Sequence, residues 1–364
     1  MNQAESVALL DGGGRAYPRM LDAIGAARES IYLEVYSFAP QGIGSRFVEV
    51  LVRASGRGVD VEVELDAFGS IWGGAAVAAQ LTRAGCRVRI FNRFGKMLRG
   101  NLGRNHRKVL VVDDEIAFIG GINIGDDYMD AEPRKGWADL ALEIRGPQCR
   151  ALRQKLRGFP QPPVQSSIRI YLSSMGAGRR LERRYLKAFR SARHQILIAH
   201  GYFIPDRAIV RALLAARKRG VRVRLLLAGR SDVPFAVAAT RSRYQRLLEA
   251  GVEVYEWNAS VLHAKAAAID GKRFLVGSFN LDPLSLANLE VLAEVSDPRL
   301  TMDGEAWIER HLDGAHRVMS DEPHSPLQRW IYGPVGRLAL KTTVAISKLI
   351  APSRRPIRRK RGSS

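Results

Sequence analysis

His263, Lys265 and Asn280 place an imidazole, an ammonium and an amide on a short, mostly apolar stretch, with Asp270-Gly271 and Gly277-Ser278 between them. The same residue types recur at His106, Lys108, Asp113, Gly120-Gly121 and Asn123, and each matched position is displaced by 157 residues. One His-x-Lys followed by an Asp is a common polar strand end, but a duplicate in constant register is not. Such groups are unfavourable in a core without partners, and each set is the natural partner of the other. Two imidazoles, two ammoniums and two amides around one point suit a phosphodiester. The lysines and asparagines can hold non-bridging oxygens and stabilise the added charge of a pentacovalent transition state. One histidine can attack phosphorus while the other protonates the leaving alkoxide and later deprotonates the incoming hydroxyl. That division needs one imidazole neutral and the other protonated, and each needs a carboxylate to fix its tautomer. Asp139 and Glu290, each on the strand that follows its own copy of the motif, are the candidates. No carboxylate cluster offers a hard-metal site, so chemistry without a metal or cofactor is expected.

Strands and turns must hold these groups. In a strand, residues i and i+2 share a face, so His263 projects with Lys265 and His106 with Lys108. Asp270-Gly271 and Asp113-Asp114 read as two-residue hairpin loops. Ideal pairing then sets Val276 opposite Lys265, Ser278 opposite His263 and Gly121 opposite His106. Asp113 and Asp270 belong to the repeated candidate set, yet their place in the turns makes shaping the loop their main expected role.

Around the motifs the chain alternates between helical and strand patterns. Helical spacing covers 21–30, 47–54 and about 75–84, and strand patterns cover 31–38, 59–65 and 87–91. The second half replays the order, with strands near 196–199, 221–227 and 252–257 and helices at 208–218 and 244–250. This is an α/β protein, read as two similar α/β/α sandwich domains that form a pseudo-twofold dimer with one shared active site. The first domain spans 1–157 and the second 168–322; a Pro-rich joint (158–167) connects them, and a basic tail (323–364) follows.

The formal net charge is +21 over 364 residues, which favours a polyanionic partner: nucleic acid, an anionic membrane or a phosphorylated substrate. Cys86 and Cys149 are too few for a disulfide framework and lack metal-ligand spacing, so a reducing compartment is expected. No signal peptide and no run long enough to span a bilayer is legible.

The doubled set resembles the HKD signature of the phospholipase D superfamily. Within it the chain is similar to bacterial-type cardiolipin synthases, on Gly14 to Ile24, Glu34-Val-Tyr36, Asp66-Ala-Phe-Gly-Ser70, Arg104 to Lys108, Ile119 to Asn123 and Trp137-Ala-Asp139. The likeness runs from about residue 9 to about 300. It implies a phosphohistidine intermediate, with His106 the nucleophile and His263 the acid/base by the superfamily's usual polarity. His106, Lys108, Asn123, His263, Lys265 and Asn280 form the implied site, with Gly121 and Ser278 as supporting positions. Two departures stand out. Gln41 replaces an acidic residue that the second copy keeps as Asp206, which suggests an altered acceptor contact. A hydrophobic N-terminal membrane anchor is also not seen.

The tail offers another route to a membrane. Leu338, Ala339, Ile346, Leu349 and Ile350 lie opposite Arg337, Lys341 and Lys348 on a helical wheel, and Arg354 to Arg361 is polybasic. That combination suits an anionic bilayer; a helix packed on the domain with a solvated tail is the alternative. Arg93, Lys96, Arg99 and Arg104 form a further basic patch that could line the pocket mouth. The expected activity is phosphatidyl transfer between anionic phospholipids at the cytoplasmic face of a bacterial membrane, with no obligate protein partner. A hydrolase giving phosphatidate, a nuclease and a non-catalytic anion-binding protein are the alternatives. Nucleic acid is disfavoured because no run of interleaved aromatics offers a base-stacking platform.

Overall fold

The computed structural model describes residues 5–92, 103–159 and 166–319. The proposed tail, most of the Pro-rich joint and the patch residues Arg93, Lys96 and Arg99 lie outside the described residues.

Two mixed sheets make up the fold. The first runs in the order β1-β7-β6-β5-β2-β3-β4, from β1 (Ser6–Asp11), β2 (Ser30–Val35), β3 (Asp60–Asp66), β4 (Arg87–Phe91), β5 (Val109–Val112), β6 (Ile116–Gly120) and β7 (Leu140–Arg145). The second contains β8 (Ile168–Leu172), β9 (Gln195–His200), β10 (Arg222–Ala228), β11 (Glu253–Trp257), β12 (Lys265–Ile269), β13 (Arg273–Gly277), β14 (Val291–Val295) and β15 (His316–Val318). Its order, β8-β14-β13-β12-β9-β10-β11-β15, repeats the first strand for strand and adds β15 at the edge. In both, the three strands joined by helices run parallel, because a helical crossover returns the chain in the same direction.

Each sheet buries one face under its own helices. Gly12–Ala26 and Ile43–Gly56 cover the first through Tyr17, Ile24, Phe47 and Leu51, and Arg179–Ser191 and Arg207–Lys218 cover the second through Tyr185, Phe189 and Leu213. The inner faces meet in a third apolar layer built from both copies, including Val109, Val111, Ile119, Leu142, Ala266, Val276 and Ala293. The helix Pro298–Asp313 enters this layer, where Trp307 is 1% exposed and its indole N–H donates to Asp11 at 2.7 Å. Such a continuous core resists separation of the two copies, since parting them would return its apolar faces to water.

Two local readings are corrected here. The first helix begins at Gly12, not near residue 21, although Gly12-Gly13-Gly14 suggests a loop. Gly13 is required by packing: a Cβ there would lie 2.7 Å from the Tyr128 carbonyl oxygen and 2.6 Å from the Tyr17 ring. The hairpins also slip by one residue. Asp270 and Gly271 adopt left-handed conformations, as do Asp113 and Asp114, consistent with the two-residue turns. An extra residue follows each turn, Lys272 or Glu115, so Ile269 pairs with Arg273 and Val112 with Ile116. Val276 therefore faces Ala266 and not Lys265.

The aspartates in these turns are distant from chemistry. Asp113 accepts from the backbone N–H groups of Arg28, Glu29 and Ser30, each at 2.8 Å, and Asp270 accepts from those of Arg193, His194 and Gln195 at 2.8–2.9 Å. Each carboxylate thus ties a turn to the start of the neighbouring strand, and its membership of the catalytic set is corrected to a structural one. Burial works against the Asp270 charge, but the three amides outweigh it and hold the carboxyl below its usual range. Asp270→Ala is expected to cost about 1–2 kcal/mol in urea unfolding at pH 7 and to leave the specific activity of folded protein unchanged. Because the folded pKa is depressed, that difference is present above about pH 4 and shrinks as pH falls through it.

Candidate active site

The two copies exchange main-chain hydrogen bonds beside their histidines. His106 N–H donates to the Leu289 carbonyl at 2.9 Å, and Leu289 N–H donates to the Arg104 carbonyl at 2.9 Å. In the other copy, Ala138 N–H donates to Val261 and His263 N–H to Ala138, both at 2.9 Å. Leu289 precedes Glu290 and Ala138 precedes Asp139, so each histidine is fastened beside the carboxylate of the opposite copy. His106 Nδ1 lies 3.0 Å from Glu290 Oε2, and His263 Nδ1 lies 2.6 Å from Asp139 Oδ2. Crossed pairs, not pairs within a copy, are the result. With each Nδ1 on a carboxylate, Nε2 is the ring nitrogen left for chemistry.

The supporting residues differ between the halves. Glu290 is fully buried; Ser278 Oγ donates to Oε2 of its carboxylate, and its backbone N–H donates to Ser173 Oγ at 2.8 Å. At the position matching Ser278, Gly121 gives the Asp139 carboxylate room, since a Cβ there would fall 2.3 Å from Oδ1. Ser278 and Gly121 thus act on the carboxylates, not on a phosphate. Asn123 donates through Nδ2 to Tyr128 Oη at 2.9 Å and accepts at Oδ1 from Ser37 N–H at 3.2 Å. Asn280 is buried too, yet its Oδ1 has no partner among the described residues.

Lys108 Nζ donates to the His106 carbonyl at 2.7 Å, and Lys265 Nζ donates to the His263 carbonyl and lies 2.9 Å from His263 Nδ1. Burial pushes Lys108 down to about 7 and Lys265 to about 8, with nearby carboxylates opposing the shift. Both imidazoles are likewise held below their usual pKa by burial; for His106 Glu290 opposes this, and for His263 the two lysines reinforce it. Burial raises the Asp139 carboxyl, and at 2.6 Å this carboxyl and His263 take up a proton as one unit. An entering phosphodiester anion reverses the penalty on every cation in the site. Binding at pH 8 is therefore expected to take up protons, read by calorimetry with an inert phosphodiester in buffers of different ionisation enthalpy.

Several residues near the chemistry escaped sequence reasoning. The Tyr36 ring lies edge-on to His106 with centroids 4.8 Å apart, and Tyr128 and Tyr202 lie 5.7 and 5.9 Å from His263 in the same manner. The residues flanking His106 are anchored as well: Asn105 Nδ2 donates to Glu64 at 2.7 Å, and Arg107 Nη2 donates to the Ser173 carbonyl at 2.6 Å. Acidic residues within the apolar strands β2 and β3 were the available signal for that shell; Tyr128 and Tyr202 left none. The substitution at Gln41 also has a structural account. Asp206 caps the helix Arg207–Lys218 by accepting from Ala208 and Ile209 N–H, while Asp126 does the same for Ile43 in the first copy. Asp206 therefore serves a helix terminus, and the suggested acceptor contact is corrected.

Two matches to the family model described as "Cardiolipin synthase, PLD-like domain" cover residues 20–137 and 185–312. The chain belongs to this family. It is an enzyme of the phospholipase D superfamily. Cardiolipin synthase B of Salmonella typhi is 32% identical over 319 residues, covering 81% of this chain and 77% of that one. Cardiolipin synthase 1 of Staphylococcus aureus strain COL is 32% identical over 368 aligned positions, covering 93% of this chain and 72% of that one. The crystal structure of phosphatidylserine synthase from Haemophilus influenzae Rd KW20 shares the fold, with a TM-score of 0.72 at 15% identity over 95% of this chain and 94% of that one.

Proposed function

We propose that the chain is a cardiolipin synthase, joining two phosphatidylglycerol molecules and releasing glycerol. The crossed pairing of two histidines with two buried carboxylates, beside two buried lysines, carries this reading, and the names of the relatives supply the lipid. His106 Nε2 attacks the donor phosphorus, and the bond to the glycerol oxygen breaks as the imidazolium of His263 gives that oxygen its proton. A phosphohistidine remains. The hydroxyl of a second phosphatidylglycerol then loses its proton to His263 and attacks phosphorus, which breaks the N–P bond and restores both imidazoles. Lys108 and Lys265, with the side-chain NH2 group of Asn280 as a neutral donor, hold the oxygens that gain charge in each step. The mechanism needs no metal, and its phosphodiester substrates are anionic phospholipids.

Peripheral attachment at the cytoplasmic face of a bacterial membrane suits this role, because a chain of net charge +21 is drawn to an anionic leaflet. Among the described residues no helix is long and apolar enough to cross a membrane. The test is direct: purified chain, phosphatidylglycerol vesicles and EDTA, with the lipids resolved by chromatography. Cardiolipin and glycerol in equal amounts are expected. Phosphatidate alone would make the chain a hydrolase, and no lipid turnover with cleavage of DNA would overturn the lipid reading.

A further inference from the structure

Seven large apolar side chains are conspicuously exposed among the described residues, and four of them sit on two matching loops. Phe68 (46%), Ile71 (46%) and Trp72 (92%) follow β3, and Val233 (44%) follows β10, the equivalent strand of the second copy. Each loop is tied to one catalytic histidine. The first contacts Tyr36, the ring beside His106: Ser70 Oγ donates to the Tyr36 carbonyl at 3.0 Å, and Gly69 approaches it so closely that a Cβ would fall 2.2 Å from that oxygen. Asp66, at the start of this loop, accepts at 2.8 Å from the N–H of Asn105, the residue before His106. The second loop holds Tyr202, the ring beside His263, through Asp232 Oδ1 at 2.5 Å. The loops that carry the apolar tips are therefore linked to the shared site from both copies.

Solvent exposure of a tryptophan, a phenylalanine and two aliphatic side chains on tips held by hydrogen bonds is unfavourable in water and favourable at a bilayer interface. Cations accompany them. The Arg104 guanidinium stacks on the Phe68 ring at 4.4 Å, and Arg230 is exposed on the second loop. Aromatic and aliphatic tips beside arginines complement an anionic lipid surface, with acyl chains receiving the tips and phosphates the guanidinium groups.

We infer that these two loops, carrying Ile71, Trp72 and Val233, dip into an anionic bilayer and seat the entrance of the shared site on the lipid surface. The bilayer then delivers a phospholipid headgroup to the two imidazoles without the lipid leaving the membrane, and the first acyl pair stays in lipid while the second substrate arrives. The substrate part of this inference rests on the proposed lipid chemistry; the contact itself does not.

Two measurements on the full chain test it. In vesicles of phosphatidylglycerol and phosphatidylcholine with brominated acyl chains, wild-type tryptophan emission should be quenched more than that of Trp72→Phe. Equal quenching would overturn the inference. The triple variant Ile71→Ser, Trp72→Ser and Val233→Ser should lose at least about tenfold in turnover on vesicles, because interfacial binding scales with the apolar area inserted. Its turnover of short-chain phosphatidylglycerol dispersed as monomers should stay within about twofold, since none of the three side chains belongs to the chemistry. An equal loss on both substrates, or no loss on vesicles, would overturn it. If the wild type turned over neither form of lipid, the functional proposal would fail while the quenching comparison still decided the membrane contact.

Discussion

Replacing either His106 or His263 with alanine is expected to lower phosphatidyl transfer by at least about ten-thousand-fold, and replacing both is expected to lower it little further. Groups that act as one unit are strongly non-additive, because a nucleophile without its proton donor has nothing to gain from being intact. The packing makes this unit concrete. Each imidazole lies in a separate copy, yet each is fixed by a carboxylate from the other, at 3.0 Å for His106 and 2.6 Å for His263. The comparison should be made on vesicles, with far-ultraviolet circular dichroism to show that both variants fold. Near-normal activity in either single variant would sink the shared-site model.

The crossed carboxylates give the second large effect and also sort the histidines. Glu290→Gln should behave as a weakened His106 variant and Asp139→Asn as a weakened His263 variant, each losing about a thousandfold or more in turnover. An orienting carboxylate fixes the tautomer and stabilises the imidazolium, and its amide replacement favours the wrong tautomer. An activated phosphodiester with a p-nitrophenyl leaving group separates the two, because that group departs without a proton. On it, His263→Ala and Asp139→Asn should still release a burst of p-nitrophenol and accumulate phosphohistidine, while His106→Ala and Glu290→Gln should show no burst. Asp139→Asn grouping with His106→Ala would refute the crossed assignment. A burst from His106→Ala but not from His263→Ala would exchange the two roles and keep the pairing.

The asymmetry between the halves suits this division of labour. His106 lies between Asn105 and Arg107, both buried and anchored by side-chain hydrogen bonds to Glu64 and to the Ser173 carbonyl, whereas the positions flanking His263 are the apolar Leu262 and Ala264. Asn123 is engaged by Tyr128, whereas Asn280 Oδ1 has no partner among the described residues. A nearly symmetric frame therefore encloses two different chemical environments, which is the requirement for one neutral and one protonated imidazole.

By itself the sequence marked the repeat and the histidines, lysines and asparagines that it duplicates. Residue types in constant register report what each strand end carries, and hydrophobic periodicity reports which strands and helices carry it. The alternation of β3, β4, β10 and β11 with their helices was legible for that reason, because local patterning and burial agree there. The tertiary structure alone decided how the halves meet. Glu290 is 184 residues from His106 and Asp139 is 124 from His263, and main-chain bonds from Leu289 and Ala138 across the copy boundary made those pairings. No local period encodes such a bond. The same holds for the one-residue slip after Asp270-Gly271, for Asp113 and Asp270 turning toward neighbouring strands, and for Gly121 yielding its side-chain space to Asp139. Each depends on which backbone groups are left unpaired once two sheets share one buried layer, and that is a property of the assembled fold.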